Sequence, residues 1–245
     1  MGAEGLRKPL YPFLNWADAR IAEWRQNHPG EWELLRPALL RQVSNQLAGL
    51  TYRTFILEAN ILSLRCSSHA GSTERSIIDQ FAETATDHRR YVQRLFLSYP
   101  ALTRLSATSL FQWWKNTSDL LTRLHRDARR IEACILRQPI GALQSINATL
   151  SDPHHGGKRV TILHLSGGQK LVYKPRPVEV DEGYQHFIEW LNNTGIAPQL
   201  RMLGAVKGED YGWIEFVEVE PLDTPGLDKY CVTRLGRPSP SLALS

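Results

Sequence analysis

The chain has 245 residues, 42% hydrophobic and 22% charged, the balance of an ordinary globular protein able to build a sizeable core. Its formal charge of +4 is spread along the sequence and favours an anionic partner only weakly, so nucleotide, acidic peptide and nucleic acid all stay open on charge alone. No apolar run approaches the length of a membrane span, and Cys66, Cys134 and Cys231 are too scattered for a structural zinc site or a disulfide framework. Both features fit a cytoplasmic protein with no membrane span.

The first part of the chain reads as helix. Trp16, Ala19, Ile21 and Trp24 fit one short helix, and Leu39, Leu40, Val43, Leu47 and Leu50 recur at helical spacing within 34–64. A Ser/Gly-rich loop at 67–74 separates them from a third helix that begins at Ile77, Ile78 and Phe81, runs to Leu97 and is expected to end near Pro100. The fourth helix covers Thr108 to Leu136, with Leu110, Trp113, Leu120, Leu121, Leu124 and Ile131 on one stripe, and Pro139 and Gly141 close it. Its arginines Arg123, Arg126, Arg129, Arg130 and Arg137 are interrupted by Asp127 and Glu132. That pattern predicts a solvated helix face with i,i+4 pairs rather than a nucleic-acid-binding stripe.

The character changes after Gly141. Leu143 to Leu150 alternates like a strand. Arg159 to Leu165 and Lys170 to Lys174 are β-rich and flank Ser166-Gly167-Gly168, a hairpin signal. Val180 to Asn193 returns to helical period, with Tyr184, Phe187, Ile188 and Leu191 expected on one face and Thr194-Gly195 as the stop. Leu200 to Val206 and Tyr211 to Val219 read as a second hairpin. The predicted fold class is α+β: a mostly helical N-terminal region over 1–139, then a kinase-like N-lobe over 140–222 made of a small antiparallel sheet and one helix. No C-lobe is expected, and 223–245 is expected to be a truncated, disordered tail.

Strand, glycine turn, strand, turn, strand with lysine, helix and two strands is the order in which a kinase-like small lobe presents phosphate-binding groups. A glycine turn lets backbone N–H groups approach phosphate oxygens with no Cβ in the way, and Gly156 and Gly157 would supply it. Lys174, on the third strand, is the candidate cation, and Glu182 and Glu189 are the helix carboxylates that could hold it. The turn and the ammonium are expected to converge on one pocket. The last strand, with Glu215, would lead to the hinge that lines an adenine pocket. Each part also has a plainer reading. Two-glycine turns are mostly just turns, strand lysines are mostly solvated, and Asp152-Pro153-His154-His155 reads equally as an Asx turn with surface histidines. No metal site can be completed there.

The stretch SDPHHGGKRVTILHLSGGQKLVYKPRPVEVD, followed by WLNNTGIAPQL and YGWIEFVEVEPL, resembles the dehydratase domain of class II (LanM-type) lanthipeptide synthetases, and YPFLNW near the start resembles the region before that signature. The resemblance runs to about Gly236. It implies a fold similar to lipid kinases and the use of ATP and magnesium to phosphorylate Ser and Thr of a precursor peptide, the phosphate then being eliminated to leave dehydroalanine or dehydrobutyrine. By motif it implies catalytic roles for Asp152, His154 and Lys174, and cofactor binding at Gly156, Gly157, Lys174 and Glu215. His155 departs from the pattern, which commonly has Asn or Arg there.

The resemblance also implies a later Asp/His/Asn motif, a metal-binding Asp, an eliminating Arg and Thr, and the ligands of a zinc cyclase, none of which occurs in this sequence. The expectation is a truncated dehydratase that is inactive alone and uses no zinc. The alternative is a non-catalytic peptide-binding or complementation module whose partner chain carries the missing lobe. Either way the expected partner is a precursor peptide and not nucleic acid.

Overall fold

A computed structural model of the chain describes residues 2–27, 35–65, 74–148, 152, 154–195 and 199–218. The loop at 67–73 and the tail at 223–245 lie outside the described residues. After a single turn, α1 (Gly2–Gly5), come the helices α2 (Tyr11–Asn27), α3 (Leu35–Arg65), α4 (Glu74–Asp87), α5 (Arg89–Ser98) and α6 (Pro100–Ile131), the last continued by a π-helical turn over Glu132–Leu136.

The helix expected from Ile77 to Leu97 is broken at His88, whose backbone leaves the helical region (φ −121°, ψ 84°). The core explains the break. Phe55 of α3 contacts both Phe81 and Phe96, with ring centroids 5.8 and 6.2 Å away. In a straight helix those fifteen residues would span about 22 Å, too far for one ring to touch both. Pro100, expected as a stop, instead occupies the first turn of α6, where its fixed φ and missing N–H cost nothing. The fourth predicted helix therefore starts eight residues earlier than its apolar stripe suggests.

Five strands follow: β1 (Leu143–Asn147), β2 (Thr161–Leu165), β3 (Lys170–Lys174), β4 (Ala205–Lys207) and β5 (Gly212–Glu215), with α7 (Glu179–Asn193) between β3 and β4. They form an antiparallel sheet in the order β1-β2-β3-β5-β4. This is the α+β arrangement read from the sequence. Leu163, Leu165, Leu171, Tyr173, Val206 and Trp213 point to one face and join the helical core. Strand alternation sends the neighbouring side chains, among them Lys174 and Lys207, to the face that carries α7.

On that second face Val178 and Ile188 are buried. Tyr184 and Phe187, expected beside Ile188, are more than half exposed, as is Trp190, against which Phe187 stacks. Among the described residues of α7 only Ile188 is buried.

The seam between α6 and the sheet is polar at its centre. Asp127 sits at a core position of α6 and is only 3% exposed. An unpaired carboxylate there would be costly. Its Oδ2 accepts hydrogen bonds from the Tyr211 hydroxyl (2.5 Å) and the Trp213 indole N–H (2.9 Å), while Arg126 and Arg130 stand 3.6 and 3.7 Å from Oδ1. Arg126 also donates to the Tyr211 hydroxyl. One turn earlier, Arg123 donates to the Tyr173 hydroxyl (2.6 Å) and to Asp210 (2.7 Å), and its guanidinium lies 4.2 Å over the Tyr211 ring. One turn later, Arg130 donates to the Lys207 carbonyl (2.9 Å). The arginine face is solvated in part: Arg126 and Arg130 stay more than half exposed while touching the seam, and only Arg123 is drawn under the sheet, where the buried Tyr173 phenol and Asp210 take its donors.

Removing the Asp127 carboxylate strands the Tyr211 hydroxyl and the Trp213 N–H in the core. Asp127→Ala should cost roughly 3–4 kcal/mol of unfolding free energy, and Asp127→Asn less, read as a shift of the urea midpoint. Burial pushes the Tyr173 phenol up to about 12 despite the Arg123 guanidinium beside it, whereas an unfolded tyrosine titrates near 10. The folded state then holds the proton that the unfolded state loses. The stability this gives is complete below pH 10 and is lost as pH rises toward 12. Alkaline titration of the melting midpoint should fall less steeply between pH 10 and 12 for Tyr173→Phe than for the unaltered chain.

Candidate functional site

The residues singled out for chemistry lie at one end of the sheet, where β2 begins and β3 ends. His154 and Lys158 exchange two backbone hydrogen bonds, each 2.9 Å, and so close a tight turn through His155, Gly156 and Gly157. Both glycines have positive φ (75° and 76°), a conformation that a side chain would strain. Asp152 and His154 are exposed beside this turn. The turn rests against α6: Asn116 donates to the Gly156 carbonyl at 3.0 Å, and a Cβ on Gly157 would come within 3.2 Å of Gln112 Oε1.

Lys174 closes β3 on the opposite face. Its ammonium donates to Asp181 Oδ1 at 2.5 Å, with 19% and 26% of the two side chains exposed. Neither of the two expected carboxylates holds it. Asp181, Glu179 and Glu182 all sit in the first turn of α7, where acids are favoured by the helix dipole. Successive helix positions point about 100° apart, so only one direction meets β3. Asp181 takes that direction. Glu179 and Glu182, three apart on a shared face, instead reach Lys207 of β4 at 3.5 and 2.9 Å. Glu189 lies exposed more than a turn further on. The close approach of α7 depends on Gly212, the register partner of Lys174, where a Cβ would lie 2.5 Å from a Val178 methyl.

Lys174 and the glycine turn therefore do not point at each other: one is held beneath α7, the other on α6. The expected convergence on one pocket is corrected here: a cavity of about 560 Å³ at the strand ends is lined by His154, Lys158, Val160, Pro175, Arg176, Pro177 and Asp210, and by neither Lys174 nor the two glycines. Pro175 follows Lys174 directly. Three basic side chains against one acid, Asp210, give this cavity a donor set suited to an anion. Asp210 is itself committed to Arg123 at 2.7 Å, with Lys158 3.8 Å away. Glu215 is elsewhere. It pairs in register with Leu171, three positions from the Lys174–Gly212 pair and on the core face, and its carboxylate binds Arg201 and the Gly204 N–H. Among the described residues no group of three His, Cys, Asp or Glu could hold a metal ion.

Residues 99–237 match the model of a family described as a domain of unknown function, DUF4135. The chain belongs to that family. The DUF4135 match opens at the foot of α6, so it takes in the helix that bears Asn116, Arg123 and Asp127 together with the sheet, α7 and the cavity. No curated protein matches the chain.

Sequence reasoning passed over Asp181, Asn116, Gln112 and Asp210. Asp181 was within reach, one position from Glu182, but only the placement of α7 tells the two apart. Asn116 and Gln112 carried a weaker signal, a polar stripe continued at 3–4 spacing by Asp119, Arg123 and Asp127 along one side of an amphipathic helix. Asp181→Asn should lower stability by about 1 kcal/mol, since it trades a half-buried ionic bond for a neutral one. Glu189→Gln should leave the denaturation midpoint unchanged.

Proposed function

We propose that this chain is the nucleotide-binding lobe of a lanthipeptide-type dehydratase, which binds ATP with its phosphates in the cavity at the ends of β2 and β3. The observation that carries this reading is the half-buried Lys174–Asp181 pair at the end of β3, one residue from a cavity lined by His154, Lys158 and Arg176. A strand lysine held by a helix carboxylate beside a glycine turn is the arrangement that kinase-like folds use against nucleotide phosphates. Membership of the DUF4135 family, which is associated with lanthipeptide synthetases, supports the assignment to peptide dehydration.

In this reading each group has a limited task. Lys158 and Arg176 neutralise phosphate oxygens, the imidazole of His154 offers a ring N–H, and the open side of the Gly156–Gly157 turn admits them without steric conflict. Lys174 adds a third positive charge once the phosphates compete with Asp181 for it. Asp181 keeps the ammonium extended along the strand in the meantime. Magnesium would arrive with the nucleotide and would supply further positive charge to offset that of the phosphates. The chemistry served is transfer of the γ-phosphoryl group to a Ser or Thr hydroxyl of a precursor peptide, with ADP as leaving group, followed by loss of phosphate and the α-proton to give the alkene.

Calorimetric titration of the full chain with ATP and magnesium should show saturable binding. Lys174→Ala should weaken it by about tenfold or more, the worth of a charge-assisted contact, in a chain that still folds but loses about 1 kcal/mol of stability with the Asp181 pair. No binding by the unaltered chain, or equal affinity in the folded variant, sinks the assignment. Adding a Ser/Thr-rich peptide separates the two forms of the proposal: ATP-dependent loss of water marks a working dehydratase, and binding without mass change marks a lobe that needs its complement.

A further inference from the structure

Helix α6 reaches the glycine turn as well as the core. Gln112, Asn116, Asp119 and Arg123 recur at intervals of three or four, and together they line one side of a narrow cleft whose opposite wall includes Gly157, Lys158 and Tyr173. Asn116 donates to the Gly156 carbonyl at 3.0 Å. Gln112 fills the space a side chain on Gly157 would need. Arg123 holds Asp210, the acid nearest Lys158, so the turn is tied to the same helix a second time. Behind this face α6 is itself pinned to α3, since Gln42 accepts from the Trp113 indole (3.2 Å) and Gln46 donates to the Ser109 hydroxyl (2.7 Å).

We propose that α6 is the positioning element of the glycine turn, with Asn116 the residue that fixes it and Gln112 the surface on which it rests. Both glycines adopt left-handed conformations open to many alternatives, and the His154–Lys158 bridge is a single pair of hydrogen bonds, so the turn has little order of its own. The Asn116 amide removes one degree of freedom by pinning the central carbonyl, and that leaves the opposite edge of the turn, with His154 and Lys158, directed at the cavity. The glycines supply space, and the helix supplies direction. The nucleotide reading enters only in naming what the oriented turn receives.

The test is amide hydrogen exchange at His154 and Lys158 in the full chain, joined to titration with inorganic triphosphate. Asn116→Ala and Asn116→Asp, which cannot donate to the carbonyl at neutral pH, should speed exchange at both amides about fivefold or more and weaken triphosphate binding by a similar factor. Asn116→Gln, which retains the donor, should recover part of both. Lys115→Ala, one position along α6 and exposed, should change neither. Unaltered exchange in Asn116→Ala and Asn116→Asp, or an equal change in Lys115→Ala, overturns the proposal. If Asn116→Ala fails to fold, Gln112→Ala is read by the same two measurements with the same outcomes deciding. If exchange responds but the unaltered chain ignores triphosphate, the nucleotide reading fails and the positioning role stands.

Discussion

The carboxylate of Asp127 is the constraint from which the arrangement of helices and sheet follows. An acid buried at a core position must be met by donors, and the Tyr211 hydroxyl and the Trp213 indole on the facing sheet meet it. That requirement fixes the axial position of α6 relative to β5, since a shift of one helical turn would leave three buried polar groups unpaired. With α6 placed, Arg123 necessarily reaches Tyr173 and Asp210, and Arg130 reaches the carbonyl of Lys207. A purely apolar seam would bury as much surface and specify position far less, because hydrophobic contact is not directional.

The same placement organises the candidate site from two sides. On the core face α6 carries Asn116 and Gln112 to the glycine turn. On the opposite face α7 carries Asp181 to Lys174, and Gly212 lets it approach closely enough to do so. The basic cavity lies where the two faces meet, at the strand ends. Turn and ammonium are thus held by different helices, through contacts that do not share a residue. The DUF4135 match covers both holding helices and the strands between them, which suits a unit whose parts position one site.

Much of this was legible without coordinates. The Leu/Trp stripe of α6, the Ser166-Gly167-Gly168 hairpin and the Lys170–Lys174 strand are local signals, and the fold repeats them closely. The misreadings share one cause. Periodicity made the Ile77–Leu97 segment a single helix, yet Phe55 draws two of its rings to one point and so bends it at His88. Local charge pattern made the α6 arginines a solvated face, which holds for Arg126 and Arg130, yet Tyr173 and Asp210 draw Arg123 out of it. Choosing Glu182 or Glu189 for Lys174 required the rotation of α7 about its own axis, which the helical spacing of a sequence leaves free.

The sequence by itself determined which segments are helix and strand, where the glycine turn and the strand lysine fall, and which residue types a phosphate site could draw on. Each of these depends on neighbours a few positions away, through backbone conformational preference and side-chain period. Only the tertiary structure decided that Asp181 is the lysine's partner, that Asn116 holds the turn and that Glu215 is taken up by Arg201 and the Gly204 N–H. Those outcomes join residues tens of positions apart, and they are set by how whole elements rotate and pack to satisfy a few buried polar groups.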